Sequence, residues 1–261
     1  MAPLRCGKVK VSLIRAHQWA QMDRQTVIRP MLEVMNSCRL TLFLVSIVTI
    51  AEAANAQTNE PSAPYRFGPF LREIGGLADP VAIAIGDDES ICIAESSGPR
   101  VTLVNRNGTI LKQWGEFGEN PGNLIEPRGV AVAGEEIFIT DSGLHRVTVF
   151  DRQGQFKRQW GGHGNQAGQF NEPRGIAVVN GRAYVADAGN NRVQIFDLAG
   201  KMLFATGDRK GESTNESLNE PTDIAVDSQG NFYVTDAGAN RIVKFNAEGK
   251  FIKAFSEWGQ F

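Results

Sequence analysis

The sequence predicts an all-β fold, a β-propeller, on the basis of two observations. The first is a repeat: the prolines that open successive units are 47, 46 and 48 residues apart, and an arginine recurs with nearly the same spacing. The second is that each unit contains four short β-rich runs separated by turn residues, and four strands per repeat of this length make one propeller blade. The opening prolines are Pro80, Pro127, Pro173 and Pro221.

The N-terminal region differs from the repeats and resembles a helical signal segment. Leu40–Ala51 carries no charge. It is shorter than the roughly 20 residues of a membrane span and has the length of a signal-peptide core. Arg39 precedes it, and Ala54 and Ala56 place small residues where a signal peptidase reads. We therefore predict cleavage after Ala56 and export to the periplasm or the medium.

Two alternatives remain open for this region. Met35 stands where the initiator of such a signal peptide is expected, so we expect translation to begin there. If Met1 is the start, residues 40–51 form a short membrane anchor, because the many upstream Lys and Arg residues fit a cytoplasmic flank. Residues 57–69 are polar and contain proline, as in a linker, and the propeller occupies 70–261. Its repeats lie near 80–126, 127–172, 173–220 and 221–261.

The strands of each unit follow from its alternation of β-rich runs and turns. In the third unit the runs are GIAVV from Gly175, RAYVAD from Arg182, NRVQIFD from Asn191 and KMLFATG from Lys201. A hairpin signal such as Asp227–Asn231 joins the first two runs, and a glycine suited to positive φ precedes the fourth. Each blade is therefore an antiparallel meander. An alanine four residues after each opening proline indicates that the first strand lies in a crowded position near the axis.

Two segments, PRGVAV with FITDSGLHRVTVFD and PRGIAV with YVADAGNNRVQIFD, resemble NHL repeats. The resemblance covers residues 80 to about 255 and recurs four times. NHL propellers typically have about six blades, so four repeats imply either a fragment of such a propeller or an open array that closes by self-association. Residues 70–75 (FLREIG) resemble a lone outer strand, which points to a last blade completed from the opposite terminus.

An acidic residue ending each second strand and an arginine opening each third strand recur in all four units. A catalytic pair occurs once per active site, so a pair used in every repeat indicates a structural role in each blade. The alternative is a ring of charged side chains around the channel mouth that holds an ionic ligand. The pairs are Asp141 with Arg146, Asp187 with Arg192 and Asp236 with Arg241, and Glu95 takes the acidic place in the first unit.

The sequence offers no set of residues from which we predict a metal, a cofactor or a catalytic group. NHL-related amidating lyases hold zinc through several histidines, whereas this chain has His145 and His163 after the signal segment and the isolated Cys92. A calcium site of the gluconolactonase kind needs converging carboxylates or amides, and here these residues occur in every unit. The two histidines are expected to be exposed loop residues.

Nucleic acid is an unfavourable partner for this chain. From Gln57 onward there are 20 Lys and Arg against 26 Asp and Glu, which gives a net charge of 20 − 26 = −6. A phosphate-binding domain is normally basic on at least one face. We therefore expect a protein or small ligand as partner, self-association if the four repeats are the whole protein, and membrane contact only through an uncleaved anchor.

The predicted binding surface is one face of the disc. In an antiparallel meander, the loops entering the first strand and those joining the second to the third lie on the same face, here termed the top face; the opposite face is the bottom face. The top-face loops differ between repeats while the strands do not, as in a scaffold that presents variable loops. The predicted binding residues are Arg128, Arg174, Thr222, Ser142, His145, Asn190, Asn191 and Asn240.

These observations favour a binding scaffold without catalysis of its own over an enzyme. The alternative is a lyase or hydrolase of the amidating-lyase or gluconolactonase-like type, whose site is completed by further blades. The spacing of Trp114, Trp160 and Trp258 predicts that these side chains end the fourth strands and pack between blades.

Overall fold

The computed structural model of the 261-residue chain describes residues 73–207 and 215–255, and it confirms the all-β prediction. The described backbone forms four separate four-stranded antiparallel sheets, one for each repeat. Within these ranges no helix is both long and apolar enough to cross a membrane. The predicted signal segment and linker lie outside the described residues.

Each blade is a meander whose strands pair in chain order. Blade 1 contains β1 (Pro80–Ile85), β2 (Ile91–Glu95), β3 (Arg100–Val104) and β4 (Ile110–Trp114). Blade 2 contains β5 (Pro127–Ala133), β6 (Glu136–Asp141), β7 (Arg146–Asp151) and β8 (Phe156–Gly161). Blade 3 contains β9 (Pro173–Val179), β10 (Arg182–Asp187), β11 (Arg192–Asp197) and β12 (Met202–Thr206). Blade 4 contains β13 (Pro221–Val226), β14 (Phe232–Asp236), β15 (Arg241–Phe245) and β16 (Phe251–Phe255).

The apolar core lies between the blades. Between blades 1 and 2, Leu103 packs in one cluster with Ile137 and Phe150. Between blades 3 and 4, the rings of Tyr184 and Phe232 lie 5.3 Å apart. Because both faces of a central blade are covered, its middle strands are apolar along most of their length instead of alternating with polar residues, and burial of each large side chain contributes about 1.5–3 kcal/mol.

The inner strands of successive blades lie side by side, β1 next to β5, β5 next to β9 and β9 next to β13. Two of the repeated alanines, Ala131 and Ala177, pack in the clusters between their own blade and the next. A Cβ built on Gly175 would lie 2.9 Å from the carbonyl oxygen of Thr222 in the next inner strand. Small residues are therefore required by the close approach of adjacent inner strands.

Trp114 and Trp160 pack between blades, as their spacing predicts. The Trp114 ring meets Phe150 of the next blade edge-on, with centroids 6.1 Å apart. It also lies over Gly154, where an added Cβ would come within 2.7 Å of the ring, and Trp160 lies over Gly200 in the same way. Each tryptophan thus covers the turn before the outer strand of the following blade.

Two predicted segments at the ends of the repeat region are only partly described. Phe255 of β16 pairs with Ile242 as Trp114 pairs with Val101, and the predicted strand end at Trp258 lies outside the described residues. Of the segment 70–75 that resembles an outer strand, residues 73–75 are described and are not assigned to a strand. Ile74 is buried against the first blade.

Candidate functional site

The repeated carboxylate–arginine pair is most complete in blade 3. Asp187 ends β10, and Arg192, which begins β11, donates from Nε to its Oδ2 over 2.7 Å. The same carboxylate accepts hydrogen bonds from the amide of Asn171, at 2.7 Å, and from the Nδ2 of Asn190. Burial raises the pKa of Asp187, and these hydrogen bonds to its charged form oppose the rise.

Arg192 also fixes the loop that connects blades 2 and 3. Its Nη1 donates to the carbonyl of Asn165, and its Nη2 donates to the carbonyls of Gln166 and Gln169, over distances of 2.9–3.0 Å. The guanidinium therefore joins a buried carboxylate to three backbone groups of one loop. A side chain used in this way has little capacity left for a ligand.

The pair varies among the other blades. In blade 4, Arg241 donates from Nε to Asp236 at 2.7 Å. In blade 1, burial by itself would raise the pKa of Glu95, but hydrogen bonds from Arg100 and Thr102 reverse this, so that it lies below its usual range. In both blades the arginine donates from Nε to a fully buried carboxylate.

In blade 2, the aspartate and the arginine of the pair do not hydrogen-bond to each other. Asp141 accepts from the amides of Ile125, Glu126 and Leu144. Arg146 donates to three loop carbonyls, of Glu119, Asn120 and Asn123. Among the described residues, no partner hydrogen-bonds to its buried Nε, and burial lowers the pKa of Arg146. The arginine still anchors the preceding loop, although it does not hydrogen-bond to the aspartate of its own blade.

His145 and Asn191 occupy equivalent positions and make equivalent inter-blade hydrogen bonds. The Nδ1 of His145 accepts from the amide of Glu172 at 3.0 Å, and the Oδ1 of Asn191 accepts from the amide of Glu220 at 2.8 Å. Both residues adopt the left-handed conformation, with φ of 52° and 54°, which Asn and His accept more readily than most residues. His145 is therefore half-buried and bonded, contrary to the expectation of a simple exposed loop histidine.

Three further residues of the predicted binding set are also engaged within the molecule. Ser142 Oγ donates to the carbonyl of Pro173 in the next blade at 2.7 Å. Asn190 bonds to Asp187 and to the carbonyl of Gly164. The hydroxyl of Thr222 lies 2.8 Å from that of Thr235 in its own blade. Asn240, which is left-handed and exposed, makes no side-chain hydrogen bond within the described ranges.

Arg128 and Arg174 follow the opening prolines of blades 2 and 3 and carry charge to the top face. Arg128 pairs with Glu126, and both side chains are more than two-fifths exposed. Arg174 donates to Glu220 of the next blade at 2.8 Å. The Arg128 pair is exposed and contributes little to stability in water, and the Arg174 side chain is partly exposed. Each guanidinium has N–H groups that its glutamate partners do not use and that suit a bound anion or carbonyl.

Asp223 is a candidate that sequence reasoning missed. It stands where blades 2 and 3 have Gly129 and Gly175, and its Oδ1 lies 2.5 Å from the Cβ position of Gly175. In the described part of the chain its carboxylate accepts one hydrogen bond, from the amide of Ile224. Burial raises its pKa to about 6. The break in the Pro-Arg-Gly pattern was the available signal.

The described residues contain no group of three or more His, Cys, Asp or Glu side chains placed to hold a metal ion. His145 and His163 lie with ring centroids 4.6 Å apart, but Nδ1 of His145 is already an acceptor for a backbone amide. Burial raises the pKa of the Cys92 thiol to about 12, so it stays protonated at neutral pH.

Comparison with solved structures agrees with this geometry. A catalytically inactive variant of virginiamycin B lyase from Staphylococcus aureus, in complex with quinupristin, is 16% identical, with a TM-score of 0.53 over 69% of this chain and 56% of that one. Hydrazine synthase of Kuenenia stuttgartiensis is 18% identical, with a TM-score of 0.53 over 72% and 52%. A streptogramin B lyase is 17% identical, with a TM-score of 0.52 over 68% and 54%. At these identities the likeness concerns the fold alone.

The chain thus spans about half the length of the solved structures that it resembles. No curated protein matches it in sequence. The profile of the family described as NHL repeat matches residues 170–196 and 218–245, each of which runs from the loop before an inner strand to the third strand of blade 3 or 4. Blades 3 and 4 thus contain NHL repeats, and four meander blades of one repeat pattern give the chain an NHL-type β-propeller fold.

Proposed function

We propose that this propeller is an exported scaffold that binds a ligand or protein partner on its top face and has no catalytic activity of its own. The supporting observation is a division among its polar side chains. The repeated Asp, Glu and Arg side chains hold blades and loops together, whereas the charged side chains that differ between blades are at least partly exposed at the entrances to the inner strands. Arg128 and Arg174 are the principal members of this second group.

The top face combines loops that are held in place with side chains that differ between blades. The loops are anchored by buried arginines, so a bound group would meet donors whose positions are already fixed. A guanidinium presents several N–H donors in one plane, and Arg128 and Arg174 each keep donors beyond those used by their glutamate partners. A carboxylate or backbone carbonyl of a partner is therefore the group that this face is best suited to bind.

The test is cross-linking in the native host followed by identification of the captured proteins or ligands. Arg128→Ala combined with Arg174→Ala should lose partners that the wild type retains, because both donors are removed. Arg106→Ala is the control, since Arg106 is a more exposed arginine that also pairs with a glutamate, but lies in a turn of the bottom face. Capture unchanged by the double substitution would contradict binding through the top face.

Export is part of the proposal and rests on the uncharged segment 40–51 and the small residues before Gln57. Fractionation of the host, with N-terminal sequencing of the purified protein, tests it. A mature N-terminus at Gln57 in the exported fraction supports cleavage, whereas a chain retained in the membrane supports the anchor. A chain in the cytoplasmic fraction would contradict both.

Asp223 favours a second candidate, a lyase or hydrolase. A carboxyl group whose pKa is raised to about 6 can accept or donate a proton near neutral pH. It is the one described inner-strand carboxylate, and the lyases named above share the fold. In this reading Asp223 acts as general base, and further blades complete the site.

Quinupristin, the compound bound in the Staphylococcus aureus structure, provides a direct assay for this candidate. Loss of intact quinupristin, followed by mass spectrometry, that is abolished by Asp223→Asn and retained in Asp227→Asn would support a lyase. Asp227 is the matched control because it is an aspartate that directly follows the opposite end of β13. Unchanged quinupristin in the presence of the wild type would leave no support for this lyase activity.

A further inference from the structure

The hydrogen bonds from His145 and Asn191 to the following blade are the same bond made by two different acceptors. Each acceptor comes directly before the arginine that opens the third strand, and each receives the amide of the glutamate that precedes the next opening proline. The donors are Glu172 and Glu220, which themselves have positive φ values of 52° and 54°. The backbone around the two bonds is therefore nearly identical.

The two acceptors differ in their response to protons. The amide oxygen of Asn191 accepts a hydrogen bond at every pH at which the protein is folded. The Nδ1 of His145 accepts only while the ring is neutral and carries its proton on Nε2, because both nitrogens become donors in the imidazolium form. Protonation of His145 thus places its Nδ1–H group against the amide N–H of Glu172 at the junction of blades 2 and 3.

Charged and titratable groups surround this ring on several elements. His163 lies on the loop before blade 3, with its ring centroid 4.6 Å from that of His145. Glu172 lies at the end of that loop, Asp141 at the end of β6 and Asp187 at the end of β10. Burial and the charge of His163 lower the pKa of His145, and the three carboxylates act in the opposite direction without reversing the shift.

We propose that His145 is a proton-operated latch between blades 2 and 3, which holds the Glu172 amide at neutral pH and releases it in acid. Release frees the backbone of Glu172, the residue that leads directly into Pro173 and Arg174 on the top face. The junction between blades 3 and 4, closed by Asn191, stays latched. One loop of the top face is thereby made sensitive to acid while its neighbour is not.

The sign of the effect follows from linkage. A histidine whose pKa is lower in the folded than in the unfolded state adds stability that is complete above the unfolded value, near 6.5. That stability is lost as pH falls through the lower folded value. The latch is therefore closed at neutral pH and opens on acidification below the normal range of histidine.

Exchange of the two acceptors tests the latch within one molecule. In the wild type, the nitrogen chemical shift of the Glu172 amide, followed by NMR between about pH 8 and 4, a range that spans histidine titration, should titrate together with the His145 ring. The Glu220 amide should not show that step. His145→Asn should remove the step at Glu172. Asn191→His should introduce a corresponding step at Glu220. The nearby carboxylates are the same in all three proteins, so the difference isolates the imidazole.

Hydrogen exchange supplies a second measurement. Below the pKa of His145, the Glu172 amide should exchange roughly tenfold faster in the wild type than in His145→Asn at the same pH, which corresponds to loss of one ordinary hydrogen bond. Equal exchange in the two proteins would overturn the proposal. So would a Glu172 titration step that persists in His145→Asn, because it would then arise from the carboxylates.

Discussion

Turn glycines such as Gly200 combine two constraints at one residue, a left-handed backbone and close contact with a tryptophan. Gly200 has a φ of 88°, and its added Cβ would lie 2.7 Å from the Trp160 ring. We expect Gly200→Ala to lower the free energy of unfolding by about 2–4 kcal/mol, from the left-handed backbone and from overpacking. Chemical denaturation measures this loss.

Gly181→Ala separates the two causes. Gly181 has a φ of 73°, and nothing lies within 4 Å of its added Cβ. It should therefore show only the backbone part, about 1–2 kcal/mol. Equal losses in the two variants would show that the Trp160 ring moves aside freely and that its contact with the turn contributes little.

We expect the titration of Asp223 to lower the stability of the protein as pH rises. Its folded pKa, about 6, is above the usual value of a free aspartate, so the folded state binds the proton more tightly. The stability from this group is present in acid and is lost as pH rises through about 6. Between pH 5 and 7.5, we expect the wild type to lose about 1–3 kcal/mol relative to Asp223→Asn.

Denaturation curves of both proteins at several pH values provide the comparison. His145 acts in the opposite sense over part of this range, but it is present in both proteins and its effect cancels. Parallel pH profiles would mean that the Asp223 carboxyl is well hydrated, with a pKa close to that of a free side chain.

The site was predictable from sequence where a residue recurs, and less so where a residue departs from the repeat. Asp187 and Arg192 recur in sequence, and the structure places them in contact. Asn191 and His145 differ at one repeat position, and this variation led to the prediction that they bind a ligand. The structure shows instead that the two different side chains accept the same inter-blade hydrogen bond from a backbone amide. Asp223 was not predictable from the repeats because it departs from the pattern that they share. Whether Arg128 and Arg174 bind a ligand stays a prediction.

Among the four outer strands, β12 has an unusual composition. Strands β4, β8 and β16 each carry at least one lysine, whereas β12 (Met202–Thr206) carries no charge and exposes Leu203. Lysine on an edge strand discourages pairing with other chains. We expect Leu203→Lys, which introduces the residue that blade 2 has at this position, to slow aggregation on heating, as followed by light scattering.

Leu203→Thr is the control for lost apolar surface, because threonine is polar, uncharged and favourable in strands. Slower aggregation in the lysine variant alone would identify charge as the protective feature. The same rate in wild type and Leu203→Lys would show that aggregation starts elsewhere, at a surface other than this edge.

Strands were predictable from their turns, and their ends were less so. The runs of blade 3 that begin near Arg182 and Lys201 correspond to β10 and β12, because glycines and polar turns bound them. The predicted third run begins at Asn191, whereas β11 begins at Arg192, because Asn191 is left-handed. The predicted strand end at Trp258 lies outside the described residues.

Over the whole described array, the blades differ in how many neighbours cover them. Blade 3 packs against blades 2 and 4, and β10 is almost entirely buried; in blade 4 every second residue of β14 is partly exposed. Amide exchange in β10 should therefore be slower than in β14, on the order of tenfold or more. Equal protection would show that another surface covers the free face of blade 4.

The arginines that anchor the top-face loops have a consequence for how this surface can change. Arg146 and Arg192 hold the loops through carbonyl oxygens, which every amino acid supplies. Side chains at positions such as Asn120 and Asn165 can therefore be exchanged without loss of the anchoring bonds. The loops can diversify by mutation while their backbone course is inherited, so new specificity can arise here with little penalty in folding.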